Sequence, residues 1–233
     1  MRQLRFEIGT VLRKYPSAYL PLARWWHRGE RVTSQTEFVM EGFPRSGNTF
    51  CSAAFGSSQS RPVVVARHVH APAQVIAATR AHVPTLVLIR KPEDAILSLV
   101  IQHPHITIRQ AMRAYLRFYI PLLPIRHLFV VATFGEVTTD FGAVITRVND
   151  RFGTKFDVFE HSEDTERACI DLMIQDNRRV YRDGRELALK GAFPSPLRAR
   201  EKDRLRARYA EPRLAALRQR VDRLYEEFTS ERR

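Results

Sequence analysis

The stretch GFPRSGNT (42–49) has Gly42, Gly47 and Thr49 in the register of a Walker A loop, but Asn48 stands where that pattern has its lysine. Arg45, Ser46, Gly47, Asn48 and Thr49 together offer a guanidinium, hydroxyls, an amide and backbone N–H groups where a helix begins. Such a set suits an anion, because converging amides and the helix dipole favour negative charge. The planar fork of Arg45 matches two oxygens of a phosphate or sulfate. Without the lysine, and with no acidic strand of Walker B type, the loop fits an anion that leaves without magnesium better than Mg·ATP hydrolysis. The plain alternative is a strand-to-helix turn with Thr49 near the cap.

A second stretch, LVLIRKPEDAILSLV (86–100), ends a strand at Arg90 and opens a helix at Pro92, with Glu93 and Asp94 in the favoured first turn. Ser98 lies nearly two turns further on, toward the cleft side, so Arg90 and Ser98 can clamp one phosphate from two directions. A third, VARHVHAPAQVI (65–76), carries His68 and His70 after another strand. Histidine accepts a proton near neutrality. His70 is the first candidate for a base and His68 the alternative; in an extended segment both face one side. The competing reading is two surface histidines beside Arg67. The HPH run (103–105) reads as a helix terminus without a chemical role.

The elements that must position these residues are short apolar strands at 37–43, 62–67, 84–90 and 127–134, bounded by Pro, Gly or charge. Helices are expected over 49–57, 73–81, 92–102, 107–120 and 138–152. Strands alternating with helices imply an α/β fold with a parallel β-sheet flanked by helices, and ligands outside the carboxyl ends of the strands. From about 165 the chain becomes charged and helical, broken by GAFPSP (191–196). Leu214, Leu217, Val221, Leu224 and Phe228 recur at helical spacing, so the last helix packs on the core or on a partner, which allows a dimer. One domain, 1–233, is expected, with a core of about 36–160 and a helical C-terminal part of about 161–233.

The order P-R-S-G-N-T (44–49), then R-K-P-E-D-A-I-L-S (90–98), resembles the 3′-phosphoadenosine 5′-phosphosulfate (PAPS)-dependent sulfotransferases. The resemblance spans about 36–137. It implies a P-loop, nucleotide-kinase-like sulfotransferase architecture and transfer of a sulfuryl group to an acceptor hydroxyl, with no metal. Arg45, Ser46, Gly47, Asn48 and Thr49 then contact the 5′ end of the donor, and Arg90 and Ser98 its 3′-phosphate. Arg45 and a histidine of the segment His70-Ala71-Pro72 take the catalytic roles. Lys190-Gly191 partly matches a late R-K-G loop of the family, with Leu189 in place of the arginine; Arg198 or Arg200 is then the missing cation. Glu136, in TFGEV (133–137), reads as structural.

The net charge of +13 favours anionic partners, and the 44% hydrophobic content allows a packed core. Two rivals follow. One is a P-loop nucleotide kinase-like phosphotransferase; the other is a basic nucleic-acid-binding protein, with Tyr115, Phe118 and Tyr119 among Arg113 and Arg117 as a stacking face. The acceptor expected is a small molecule or glycan, its pocket drawn from 100–125 and 155–200, Pro121 and Pro124 included. Cys51 and Cys169 are too far apart in sequence to suggest a disulfide framework, which suits a cytoplasmic protein. The N-terminal segment reads as a helix packed on the domain or, alternatively, lying on a membrane surface with Trp25 and Trp26 at its end.

Overall fold

Phe38–Gly42 form β1, and all five residues are buried. A strand covered on both faces cannot alternate apolar with polar positions, which is why this run is nearly all apolar. The computed structural model, which describes residues 1–26 and 29–230, sets β1 beside β2 (Val65–Arg67), β3 (Thr85–Ile89) and β4 (Val130–Thr133). The order is β2-β1-β3-β4 and every pairing is parallel; Met40 stands opposite Arg67 on one side and Leu86 on the other. The chain steps outward from β1 to β2, then returns across β1 to β3. Connections that part in opposite directions leave a crevice between the carboxyl ends of β1 and β3.

Helices cover both faces. Phe38, Met40, Leu86 and Leu88 pack against α3 (Asn48–Ser58), α8 (Phe141–Phe152) and α9 (Glu163–Val180). Val87 and Ile89 face the other way, onto α5 (Pro92–Gln102), α6 (Ile108–Tyr119) and α12 (Ala215–Thr229). Leu214, Val221, Leu224 and Phe228 are buried in this second core, so the apolar stripe of α12 is taken up within the chain. Below β1 and β2 lies α4 (Pro72–Arg80), through Ala78. Outside these, α1 (Arg2–Leu12) rests on α6 and α2 (Pro16–Trp26) on α4, while α10 (Gly184–Lys190) and α11 (Pro196–Tyr209) pack along α5.

Three elements differ from expectation. The strand at 62–67 is reduced to Val65–Arg67, because Pro62 has no N–H to give and the Glu37 carboxylate takes the Val64 N–H (3.0 Å). The strand at 127–134 begins only at Val130; Pro121 and Pro124 fix φ within a 3-10 helix over Ile120–Leu128. The helix at 138–152 is two helices, α7 (Phe134–Thr139) and α8, because the Asp140 side chain accepts from Ala143 N (3.0 Å) and caps a new start. Thr133 and Glu136 form a capping box that starts α7 directly after β4. Among the described residues no helix is long and apolar enough to cross a membrane.

Gly42 ends β1 where the backbone of β3 comes closest: a Cβ there would lie 2.7 Å from Leu88 O and 2.9 Å from Leu88 Cβ. Gly42→Ala is expected to lower unfolding stability by about 1–3 kcal/mol, as overpacking does, read as a shifted denaturant midpoint. An unchanged midpoint would mean that β1 and β3 part freely at this end.

Candidate active site

Phe43 to Gly47 join β1 to α3. The Tyr119 hydroxyl accepts from Phe43 N (3.3 Å) and donates to Leu88 O (2.7 Å), fastening the root of this loop to β3. Two residues further on the backbone turns left-handed, at Arg45 (φ 71°) and Gly47 (φ 96°). Gly47 adopts this readily; for Arg45 it is an uncommon conformation held by the surrounding contacts. No side chain caps the first N–H groups of α3. Asn48 is buried and donates its amide to Phe43 O (3.1 Å), so it does not extend as a Walker lysine does. Its Oδ1, and the Nε of Arg90, are buried without a hydrogen bond.

Arg45 crosses the crevice. Its Nε donates to Ser98 Oγ (2.8 Å), Nη1 to Lys190 O (3.2 Å) and Nη2 to Gly191 O (2.7 Å). Arg90 gives Nη1 to Arg45 O (3.2 Å) and lies over the Phe134 ring, 3.7 Å from its centroid. Arg198, buried at the head of α11, donates to Gly191 O (2.5 Å) and to Phe193 O. One turn later Lys202 pairs with Asp94 (2.7 Å).

Three guanidinium groups therefore share one neighbourhood, met mainly by carbonyl and hydroxyl oxygens. Burial, with Arg198 and Arg90 adding repulsion, pushes Arg45 down to about 9. Burial and Arg90 push Arg198 down to about 10, and burial lowers Arg90 as well. Neutral dipoles offset such charge only in part, and an anion offsets it directly. The groups line a cleft of about 960 Å³ that also takes in Phe50, Phe134, Phe193 and Met173.

His70 lines the same cleft. Its Nδ1 lies 2.9 Å from Gly42 O; a carbonyl only accepts, so Nδ1 carries hydrogen and the neutral ring has its lone pair on Nε2. His68 departs from the expected arrangement. Both histidines have positive φ (61° and 50°), so the segment is not extended, and the two rings meet edge-on with centroids 5.9 Å apart. His68 Nε2 lies 3.3 Å from Ser52 Oγ, outside the cleft lining, and burial, then the charge of Arg67, lowers its pKa.

Behind His70 stands Glu41, fully buried in β1. It accepts from Val69 N (2.8 Å), His70 N (3.0 Å) and Gln74 Nε2 (2.9 Å). Burial pushes it up to about 8 against the pull of these donors.

The structure brings Arg45, Asn48, Thr49, Arg90, Ser98 and His70 to one cleft, with Gly47 in its wall; Ser46 is buried in the loop beneath. Lys190 and Gly191 do not take the roles expected of them. The Lys190 ammonium pairs with Glu186 (2.6 Å), and both residues offer carbonyl oxygens to Arg45 instead of a cation and an amide to an anion. Of the two later arginines, Arg198 enters the cleft and Arg200 is exposed outside its lining. His103 and His105 line it from the 100–125 stretch expected to supply the acceptor pocket, and Lys202, Arg5, Phe6 and Arg13 line it beyond anything expected from sequence. Lys202 alone had a signal, lying four residues after Arg198 on one helix face.

Tyr115, Phe118 and Tyr119 are core residues, at most 3% exposed, and Arg117 is ion-paired with Glu7, so these rings are not free to stack on bases. No family model matches the chain, and no curated protein matches it in sequence.

Because Glu41 keeps its proton up to about 8 when folded but has an ordinary value of 4.5, the unfolded chain binds fewer protons between those values. Stability attributable to Glu41 is therefore expected to fall as pH rises from about 5 to 8 and to level off above. Denaturant midpoints of wild type and Glu41→Gln, compared across this range, should diverge with the wild type declining. Parallel profiles would show that Glu41 ionises freely in the folded state.

Proposed function

We propose that this cleft binds 3′-phosphoadenosine 5′-phosphosulfate and that the protein is a sulfotransferase of P-loop architecture, passing the sulfuryl group to an acceptor hydroxyl. The observation that carries this reading is the convergence of Arg45, Arg90 and Arg198 at the crevice between β1 and β3, with an excess of buried positive charge. A donor with phosphates at both its 5′ and 3′ positions supplies the missing negative charge at two points. The residues fit such a group. The uncapped N-terminus of α3 and Thr49 suit its 5′ end, Arg90 with its orphaned Nε and Ser98 suit a 3′-phosphate, and Phe134 and Phe193 give apolar ring surface for a purine.

Sulfuryl transfer breaks the S–O bond to the 5′-phosphate, leaves its electron pair on a phosphate oxygen, and forms a new S–O bond to the acceptor. Arg45 and the α3 amides neutralise the charge that grows on the departing 3′,5′-bisphosphate. His70, with hydrogen held on Nδ1 by Gly42 O, takes the acceptor proton on Nε2. Arg198 is the cation contributed by the C-terminal segment, with Lys202, paired to Asp94, one turn behind it.

A nucleotide kinase is disfavoured by particular residues. Asn48 is turned inward to Phe43 O, and the strands flanking β1 run out into Arg67 and Arg90 instead of a carboxylate that would hold magnesium.

Arg90→Ala is expected to weaken binding of adenosine 3′,5′-bisphosphate by about 2–3 kcal/mol, the scale of a lost charge-assisted contact, and to leave AMP binding nearly unchanged; equal losses for both nucleotides would remove Arg90 from the 3′-phosphate. With labelled phosphosulfate and an acceptor, His70→Ala should cut turnover by a factor of about 10² or more at unchanged donor affinity. His68→Ala should cut it far less, and the reverse ranking would exchange the two roles.

A further inference from the structure

Helix α1 carries, beyond what it packs on the domain, an aliphatic stripe turned to the outside. Leu4, Ile8, Val11 and Leu12 recur at i, i+4, i+7 and i+8 and face outward, 64%, 51%, 37% and 37% exposed. The face turned to the domain is mixed: Phe6 packs against the core, Glu7 pairs with Arg117, and Thr10 accepts from Arg117 Nη1 (2.8 Å). In α2, Leu22 and Trp25 are 44% and 61% exposed, while Tyr19 and Ala23 are buried against α4. Residues 1–26 hold five basic side chains and one acid, Glu7, which is already neutralised within the protein.

We propose that the outer face of α1 and α2 docks on an anionic lipid bilayer. Aliphatic side chains on one stripe, cationic groups beside it and a Trp at its end are the features that hold a helix in the headgroup region: the apolar stripe enters the acyl boundary and the arginines meet lipid phosphates. A second copy of the chain fits this face less well, because two such segments would bring like net charge together. Helix α1 also supplies Arg5, exposed beside the stripe, and Phe6 to the wall of the cleft, with Arg13 just after it. Docking therefore sets the cleft rim among lipid headgroups. Given the sulfuryl-transfer reading, on which this clause rests, the acceptor is a hydroxyl of a membrane lipid's headgroup.

The test is co-sedimentation of the full chain with phosphatidylcholine vesicles, with and without phosphatidylglycerol, for wild type and for Leu4→Ser/Ile8→Ser. Melting curves and affinity for adenosine 3′,5′-bisphosphate are measured on the same samples. Wild type is expected to pellet with the anionic vesicles, and the variant to bind them about tenfold less at unchanged melting behaviour. Wild type left in the supernatant with both vesicle types would overturn the proposal. So would a variant that binds as well as wild type, since charge alone would then suffice. A concentration-dependent dimer that the variant abolishes, without vesicle binding, would reassign the face to a second copy. Vesicle binding without bisphosphate binding would leave the docking in place and remove the transfer reading.

Discussion

The Arg45, Arg90 and Arg198 guanidinium groups repel one another, and much of what surrounds them in this fold serves to keep them together. Gly191 O accepts from both Arg45 and Arg198, Lys190 O from Arg45 and Phe193 O from Arg198. This short run of carbonyls binds the C-terminal segment to the β1–α3 loop. Ser98 and the Arg45 carbonyl complete the set from α5 and from the loop itself. Burial first, and then mutual repulsion, depress Arg45 to about 9 and Arg198 to about 10 even with those bonds made. An anion bound here would offset that charge and stabilise the folded chain in proportion to its affinity.

The scaffold under this cluster is rigid where it has to be. Tyr119, fully buried, ties Phe43 to Leu88, and the close approach of Gly42 to Leu88 keeps β1 and β3 in register at the crevice. Glu41 sits one residue earlier on the face toward α4 and accepts the Val69 and His70 N–H groups; these bonds hold the left-handed turn that carries His70 into the cleft. A carboxyl that burial keeps near the protonated side of neutrality is thus part of the support of the candidate base.

The central α/β pattern was legible in the chain because its signals are local. Continuous apolar runs mark strands buried on both faces, Pro92 and the acids after it mark the start of α5, and the glycine-bearing turn after β1 marks the loop into α3. The misses came mostly from contacts and backbone turns that residue type does not announce. The edge strand β2 shortened because the Glu37 side chain takes the Val64 N–H just before it, and only His70 of the two histidines lines the cleft because the segment turns left-handed at both. Lys190 looked like a cation for a ligand, yet its charge is taken by Glu186 four residues earlier and only its carbonyl enters the site. Arg5 and Phe6 on α1, Arg13 just after it, and His103 and His105 just after α5 reach the cleft from distant parts of the chain, and their spacing carries no trace of that meeting.

The central claim is that the cleft is built for two phosphate groups on one nucleotide. Calorimetric titration of the wild-type protein with adenosine 3′,5′-bisphosphate, AMP and Mg·ATP tests it most directly. The predicted result is binding of the bisphosphate at least about tenfold tighter than AMP, a difference of about 1.4 kcal/mol or more, with no advantage to Mg·ATP. Preference for Mg·ATP, or no binding of any nucleotide, would contradict it.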